Sequence, residues 1–65
     1  MPIIHVNILS GRTPEQKSEM ARRITEGVCQ ALQTAPESVR VLVHEYREGE
    51  WFMAGKALSA AKPQT

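Results

Sequence analysis

Proline stands at position 2, directly behind an initiator methionine. Removal of Met1 is expected, because proline is small enough for methionine aminopeptidase to act. The mature chain then begins with a free secondary amine, which can work as a base, a nucleophile or, once protonated, an acid. Other residues with chemical reach are scattered: Arg12, Ser38, Arg40 and Trp51. Arg40 stands out, because a charge set in an apolar stretch has to be paired or put to use. Arg12, taken alone, reads as a solvated charge in a turn. His5, His44 and Cys29 lack the close spacing of a ligand set, so no zinc site is expected. No Gly-rich phosphate loop is present, and no nucleotide or other cofactor is called for.

A frayed terminus could not hold the Pro2 amine in place, whereas a strand could. Ile3, Ile4, Val6, Ile8 and Leu9 predict one over 3–9. Ser10-Gly11-Arg12 then reads as a turn. Thr13-Pro14-Glu15-Gln16 is a helix start, with threonine as N-cap, proline at the first helical position and Gln16 placed to complete a capping box. Met20, Ala21, Ile24, Val28, Ala31 and Leu32 keep helical spacing to about residue 33. Glu19 and Arg23 are spaced for a solvent-side pair. Thr34-Ala35-Pro36 is expected to end the helix, since the residue before a proline resists helical geometry. A second strand is expected over 38–46. Val39, Val41 and Val43 would pack under the helix, with Arg40, Leu42, His44 and Tyr46 on a mixed face. A polar turn at 47–50 leads to Trp51-Phe52-Met53, an arm that docks on a neighbour or walls a pocket. Gly55 allows a turn, 56–61 is expected to add a helical turn, and 62–65 reads as a loose tail.

Strand, long helix and strand make an α/β chain with a single βαβ unit, its two strands parallel and its crossover right-handed. One domain over 1–65 is expected. A chain this short buries only about 60% of its unfolded surface, so its core needs outside help. The single cysteine excludes an internal disulfide and fits a reducing cytoplasm. One helix also leaves one sheet face uncovered, so a homo-oligomer is expected. Net charge is +1, from eight basic and seven acidic residues, which is no footprint for nucleic acid or an anionic membrane. No apolar run approaches a membrane span, and no signal pattern opens the chain. A soluble cytoplasmic protein is the expectation.

Taken in order, Pro2, Leu9-Ser10-Gly11-Arg12, Glu15-Gln16-Lys17, Ser38-Val39-Arg40-Val41, Gly49 and Trp51 resemble the 4-oxalocrotonate tautomerase family. The resemblance runs from Pro2 to about Gly55. It implies βαβ subunits that pair into dimers with a four-stranded sheet, and dimers that assemble into a hexamer, a trimer of dimers. It also implies an enol–keto isomerase of aromatic compound degradation, acting on 2-hydroxymuconate-like carboxylates without metal or cofactor. By this resemblance Pro2 is the general base and Arg40 the second catalytic residue. Arg12, Trp51 and Ser38 then bind substrate. The chemistry asks for such types: nearby cations and a dry wall favour the neutral amine, and guanidinium forks grip carboxylates.

The chain also departs from the family pattern. Phe52-Met53-Ala54-Gly55 puts bulk where a glycine-rich run is usual, and Trp51 replaces a more frequent phenylalanine, which implies a reshaped pocket. Two other functions stay open. A hydratase or dehalogenase of the same superfamily would need a carboxylate to activate water, and only Glu45 and Glu50 are near. A non-catalytic oligomeric ligand-binding module would keep the pocket and leave Pro2 idle.

Overall fold

Alternating apolar residues drive two strands together. In a computed structural model, which describes residues 1–59, β1 (Ile3–Leu9) and β2 (Arg40–Tyr46) pair in parallel. Ile3 lies opposite Arg40, and Leu9 opposite Tyr46. The ladder extends one bond past each end: the Arg40 amide donates to the Pro2 carbonyl at 3.0 Å, and the Ser10 amide to the Tyr46 carbonyl at 2.8 Å. Between the strands runs α1 (Pro14–Leu32), so the expected βαβ unit is present. Ile4, Val6, Ile8, Val41 and Val43 are the half-buried residues of the sheet face toward α1. Lys17 crosses from the helix to Glu45 at 3.0 Å and pins the far end of that face. Being solvent-screened, this pair is worth at most about 1 kcal/mol.

The capping box forms as the residue spacing requires. The Gln16 amide donates to Thr13 Oγ1 at 3.1 Å, and the Thr13 amide to Gln16 Oε1 at 3.0 Å. The helix ends differently from expectation. Gln33 adopts a left-handed conformation (φ 55°, ψ 51°), and the Gln33 and Thr34 amides both return to the Cys29 carbonyl. That left-handed residue, not the restriction imposed by Pro36, stops the helix. Pro36 instead opens a 3₁₀ turn, Pro36–Ser38, closed by the Ser38 amide on the Ala35 carbonyl at 3.0 Å. Ser38 therefore belongs to this turn, and β2 begins at Arg40 rather than at 38.

Past the turn at 47–50, the expected arm and the start of the expected helical turn form a hairpin. β3 (Phe52–Met53) and β4 (Lys56–Ala57) pair antiparallel, so the helical turn expected from 56 does not form at its start. Residues 60–61 of that stretch, and the tail at 62–65, lie outside the described residues. Ala54 (φ 52°) and Gly55 (φ 78°) both take positive φ, as a tight two-residue hairpin turn demands. Glycine does this freely, whereas alanine is strained there by about 1 kcal/mol.

The second face of the sheet carries Ile3, His5, Asn7 and Leu9 from β1 and Arg40, Leu42, His44 and Tyr46 from β2. Among the described residues it is covered only at the end where Trp51 meets Tyr46: Ile3 is 55% and Leu42 46% exposed. Among the described residues not one is fully buried. No helix among them is long and apolar enough to cross a membrane.

The exposed side of α1 carries a charge network wider than the expected Glu19–Arg23 pair. Arg22 bonds Glu19 at 2.6 and 3.0 Å and Glu26 at 2.9 Å, while Arg23 bonds Glu19 at 2.6 Å. The Arg22 bonds first, and then the Arg23 bond, hold the Glu19 carboxyl down from its ordinary 4.5 to about 2. A carboxyl lowered by folding stabilises the fold above its unfolded value and loses that contribution as pH falls through the folded one. Acidification from pH 4.5 toward 2 should therefore erode the thermal midpoint, and Glu19→Gln should flatten that slope. An unchanged slope in the variant would refute the assignment.

Candidate active site

Parallel strands sort the chain's chemistry to two ends. At the N-terminal end of the sheet, Pro2 and Arg40 are neighbours through the bond from the Arg40 amide to the Pro2 carbonyl. The Arg40 side chain is exposed and donates from Nη1 to the Glu37 carbonyl at 2.8 Å. Among the described residues no carboxylate pairs with it, so its positive charge is unneutralised. Arg40 is thus the first residue of its strand, at the rim, rather than a charge set inside an apolar run.

Ser38 stands two residues before Arg40 and braces the 3₁₀ turn. Its hydroxyl donates to the Ala35 carbonyl at 2.9 Å and lies 2.7 Å from Thr34 Oγ1. With its one proton committed to Ala35, Ser38 accepts from Thr34. The turn thereby fixes where the strand, and Arg40 with it, begins.

Arg12 and Trp51 belong to the opposite end. Arg12 follows β1 and precedes the N-cap of α1; it is half-buried in a hollow of about 350 Å³ with Ile8, Gln16, Lys17 and Met20. Trp51 follows β2 after a turn closed from both sides. The Glu50 amide donates to the Arg47 carbonyl at 3.0 Å, and the Arg47 amide to Glu50 Oε1 at 2.9 Å. That closure returns the indole onto Tyr46, edge to face, with ring centroids 5.7 Å apart and planes at 81°. A cavity of about 250 Å³ opens beside it, lined by Asn7, Tyr46, Glu50, Trp51 and Phe52.

Seven strand residues at about 3.3 Å each separate the two ends by roughly 20 Å. Pro2, Ser38 and Arg40 thus share one end of the subunit, while Arg12 and Trp51 stand at the other. Two residues that line the cavity beside Trp51 were not singled out as site residues by sequence. Asn7 and Tyr46 are joined by a 2.9 Å bond from the Tyr46 hydroxyl to Asn7 Oδ1. Only the register of β1 against β2 makes them neighbours, and a single sequence does not carry that register.

Comparison with known proteins agrees with this architecture. The family model described as tautomerase enzyme matches residues 2–61. The 2-hydroxymuconate tautomerase of Bacillus subtilis is 37% identical over 59 residues, covering 91% of this chain and 95% of its own. A structure from work on the 4-oxalocrotonate tautomerase isozymes of Methylibium petroleiphilum superposes with a TM-score of 0.83 at 41% identity, covering 86% of this chain and 88% of that one. Another, from work on a heterohexamer 4-oxalocrotonate tautomerase of Chloroflexus aurantiacus, reaches 0.84 at 28% identity, over 88% and 92%. With its proline-led strand, capped helix and parallel second strand, the chain belongs to the tautomerase family and is a 4-oxalocrotonate tautomerase-like isomerase.

Proposed function

We propose that this chain interconverts enol and keto forms of 2-hydroxymuconate-like carboxylates, with the Pro2 nitrogen as general base once Met1 is removed. The observation that carries the reading is the backbone bond that sets Arg40 beside Pro2 at one rim of the sheet, with no described carboxylate on the Arg40 side chain. A guanidinium brought near the amine would disfavour the ammonium form and keep the nitrogen able to take a proton and return it. In this mechanism Pro2 removes the enol or allylic proton and redelivers it along the conjugated chain. Arg40 holds the carboxylate and the oxygen on which charge develops. Arg12 grips the distal carboxylate, Trp51 closes a water-poor wall, and Ser38 sets the turn from which Arg40 reaches substrate. Names of relatives that act on 2-hydroxymuconate support the substrate class.

A complete site then draws on more than one subunit, because Arg12 and Trp51 cannot reach Pro2 along the same strand. The bare sheet face, with Ile3 and Leu42 exposed, supplies the surface for pairing into a dimer with a four-stranded sheet. Assembly of those dimers into a hexamer is in keeping with the heterohexamer among the structural relatives. Against a hydratase or dehalogenase, both candidate carboxylates already have partners, although Glu50 borders the cavity beside Trp51. Glu45 turns to Lys17 on the helix side of the sheet, and Glu50 closes the turn with Arg47.

The test is ketonisation of phenylenolpyruvate and 2-hydroxymuconate, with halide release from 3-chloroacrylate as the rival assay. Turnover of the enols without halide release is expected; no turnover by protein with a free Pro2 terminus refutes the reading. Mixing two defective chains checks the shared site. Protein blocked at the Pro2 nitrogen, recombined with Arg12→Ala chains, should recover about a quarter of wild-type activity below saturation, since random assembly restores that share of two-chain sites. No recovery would mean that both groups serve from a single chain.

A further inference from the structure

The chain's one tyrosine and one tryptophan meet edge to face, and the tyrosine is itself tethered. Tyr46 lies opposite Leu9 at the end of the ladder, yet its hydroxyl bonds Asn7, two residues back on β1. Its ring is therefore laid back along the open face of the sheet instead of standing free at the strand end. Trp51 meets that ring edge to face at 81°, an arrangement that favours one ring orientation over a sliding stack. Each member of the pair also carries a backbone bond of its own. The Tyr46 carbonyl holds the Ser10 amide at 2.8 Å, and the Trp51 carbonyl holds the Leu58 amide at 2.9 Å. Asn7, Tyr46 and Trp51 all border the same cavity of about 250 Å³.

We infer that Tyr46, oriented by Asn7, is a positioning residue that fixes the Trp51 indole and so sets the width of the substrate pocket. The inference rests on Trp51 being a pocket wall, as proposed above. An indole free to rotate would sample several side-chain orientations, each giving the cavity a different mouth. The tether on Tyr46 removes that freedom by holding the surface against which the indole rests. Asn7 acts here through Tyr46, by accepting its hydroxyl bond. Removing either end of the Asn7–Tyr46 bond should then have the same effect, and removing both should add nothing further.

Trp51 is the only tryptophan, so its emission reads the indole alone. Steady-state anisotropy and acrylamide quenching are to be measured on wild-type protein, Tyr46→Leu, Tyr46→Phe, Asn7→Leu and the Asn7→Leu/Tyr46→Phe double variant. KM and kcat for phenylenolpyruvate are measured on the same samples, with sedimentation to establish equal assembly. Tyr46→Leu should lower the anisotropy and raise KM about three- to tenfold with kcat little changed, because a mispositioned wall loses binding common to ground and transition states. Tyr46→Phe and Asn7→Leu should each give a smaller shift of the same sign, and the double variant should match either alone. Unchanged Trp51 anisotropy in Tyr46→Leu overturns the proposal, as do additive effects of the two partial variants. A loosened indole with an unaltered KM also overturns it, while leaving wild-type turnover, and hence the tautomerase reading, intact. Absence of turnover in wild type would instead remove that reading, and the anisotropy arm would still decide whether Tyr46 holds Trp51.

Discussion

Protein that keeps Met1, or carries an N-terminal tag, is expected to fold and assemble as the processed protein does and to lose about 10²–10⁴-fold in turnover, the usual worth of a positioned general base. The reason lies in one nitrogen. Acylated by Met1, Pro2 contributes a tertiary amide whose lone pair is delocalised and cannot take a proton. Freed, it is a secondary amine. The fold does not register the difference, because an acylated proline never has an N–H to donate, and its ladder bond runs through the carbonyl to Arg40. Pro2→Ala should retain part of the activity, since a mature alanine terminus is still an amine, though a primary and looser one. Intact mass identifies the terminus, and an enol assay on the same sample reads the rate. Full activity in protein shown to retain Met1 would end the proposed mechanism.

Replacement of Arg40 by alanine is expected to lower kcat by about 10²–10³-fold, as losing one positioned transition-state donor does. Stability should barely move, because the exposed side chain's bond to the fold is the 2.8 Å contact with the Glu37 carbonyl. Arg12→Ala should behave differently. Holding a distal carboxylate contributes to ground and transition states alike, so KM rises more than kcat falls. A monocarboxylate enol, with nothing for Arg12 to grip, should hardly sense that change, whereas Arg40→Ala should damage both substrates. Equal losses on both substrates for Arg12→Ala would refute the division of labour. Thermal midpoints of both variants guard against a trivial loss through unfolding.

Local chemistry made some of this architecture legible in advance. Thr13 and Gln16 announce the helix because their side chains cap amides three residues away, a relation contained within four positions. Val41 and Val43 announce a strand with one apolar face for a similar reason, as alternation is local, whereas Val39 falls just before it. Expectation failed where a non-local or ambiguous choice governed. Gln33 gives little warning that it will turn left-handed, so the helix end was assigned to Pro36. The alanines after Lys56 have helical propensity, but pairing of Phe52 with Ala57 and Met53 with Lys56 overrides it. For the site, Pro2, Arg12, Arg40 and Trp51 can be singled out by type. Their division between opposite ends of the sheet follows from parallel pairing, and the Asn7–Tyr46 tether follows only from register.

The hairpin that follows Trp51 has a consequence in the language of hydrogen exchange. Its strands are two residues each, its turn places Ala54 in a left-handed conformation, and Phe52 and Met53 remain largely exposed. Such a unit opens locally at little cost, without disturbing the seven-residue ladder of β1 and β2. The Leu58 amide, bonded at 2.9 Å to the Trp51 carbonyl, should therefore exchange with solvent well before the Arg40 amide on Pro2. The aromatic side of the pocket would then breathe as a separate unit, while the rim that carries the base stays closed; comparable protection at both amides would show that the two move together.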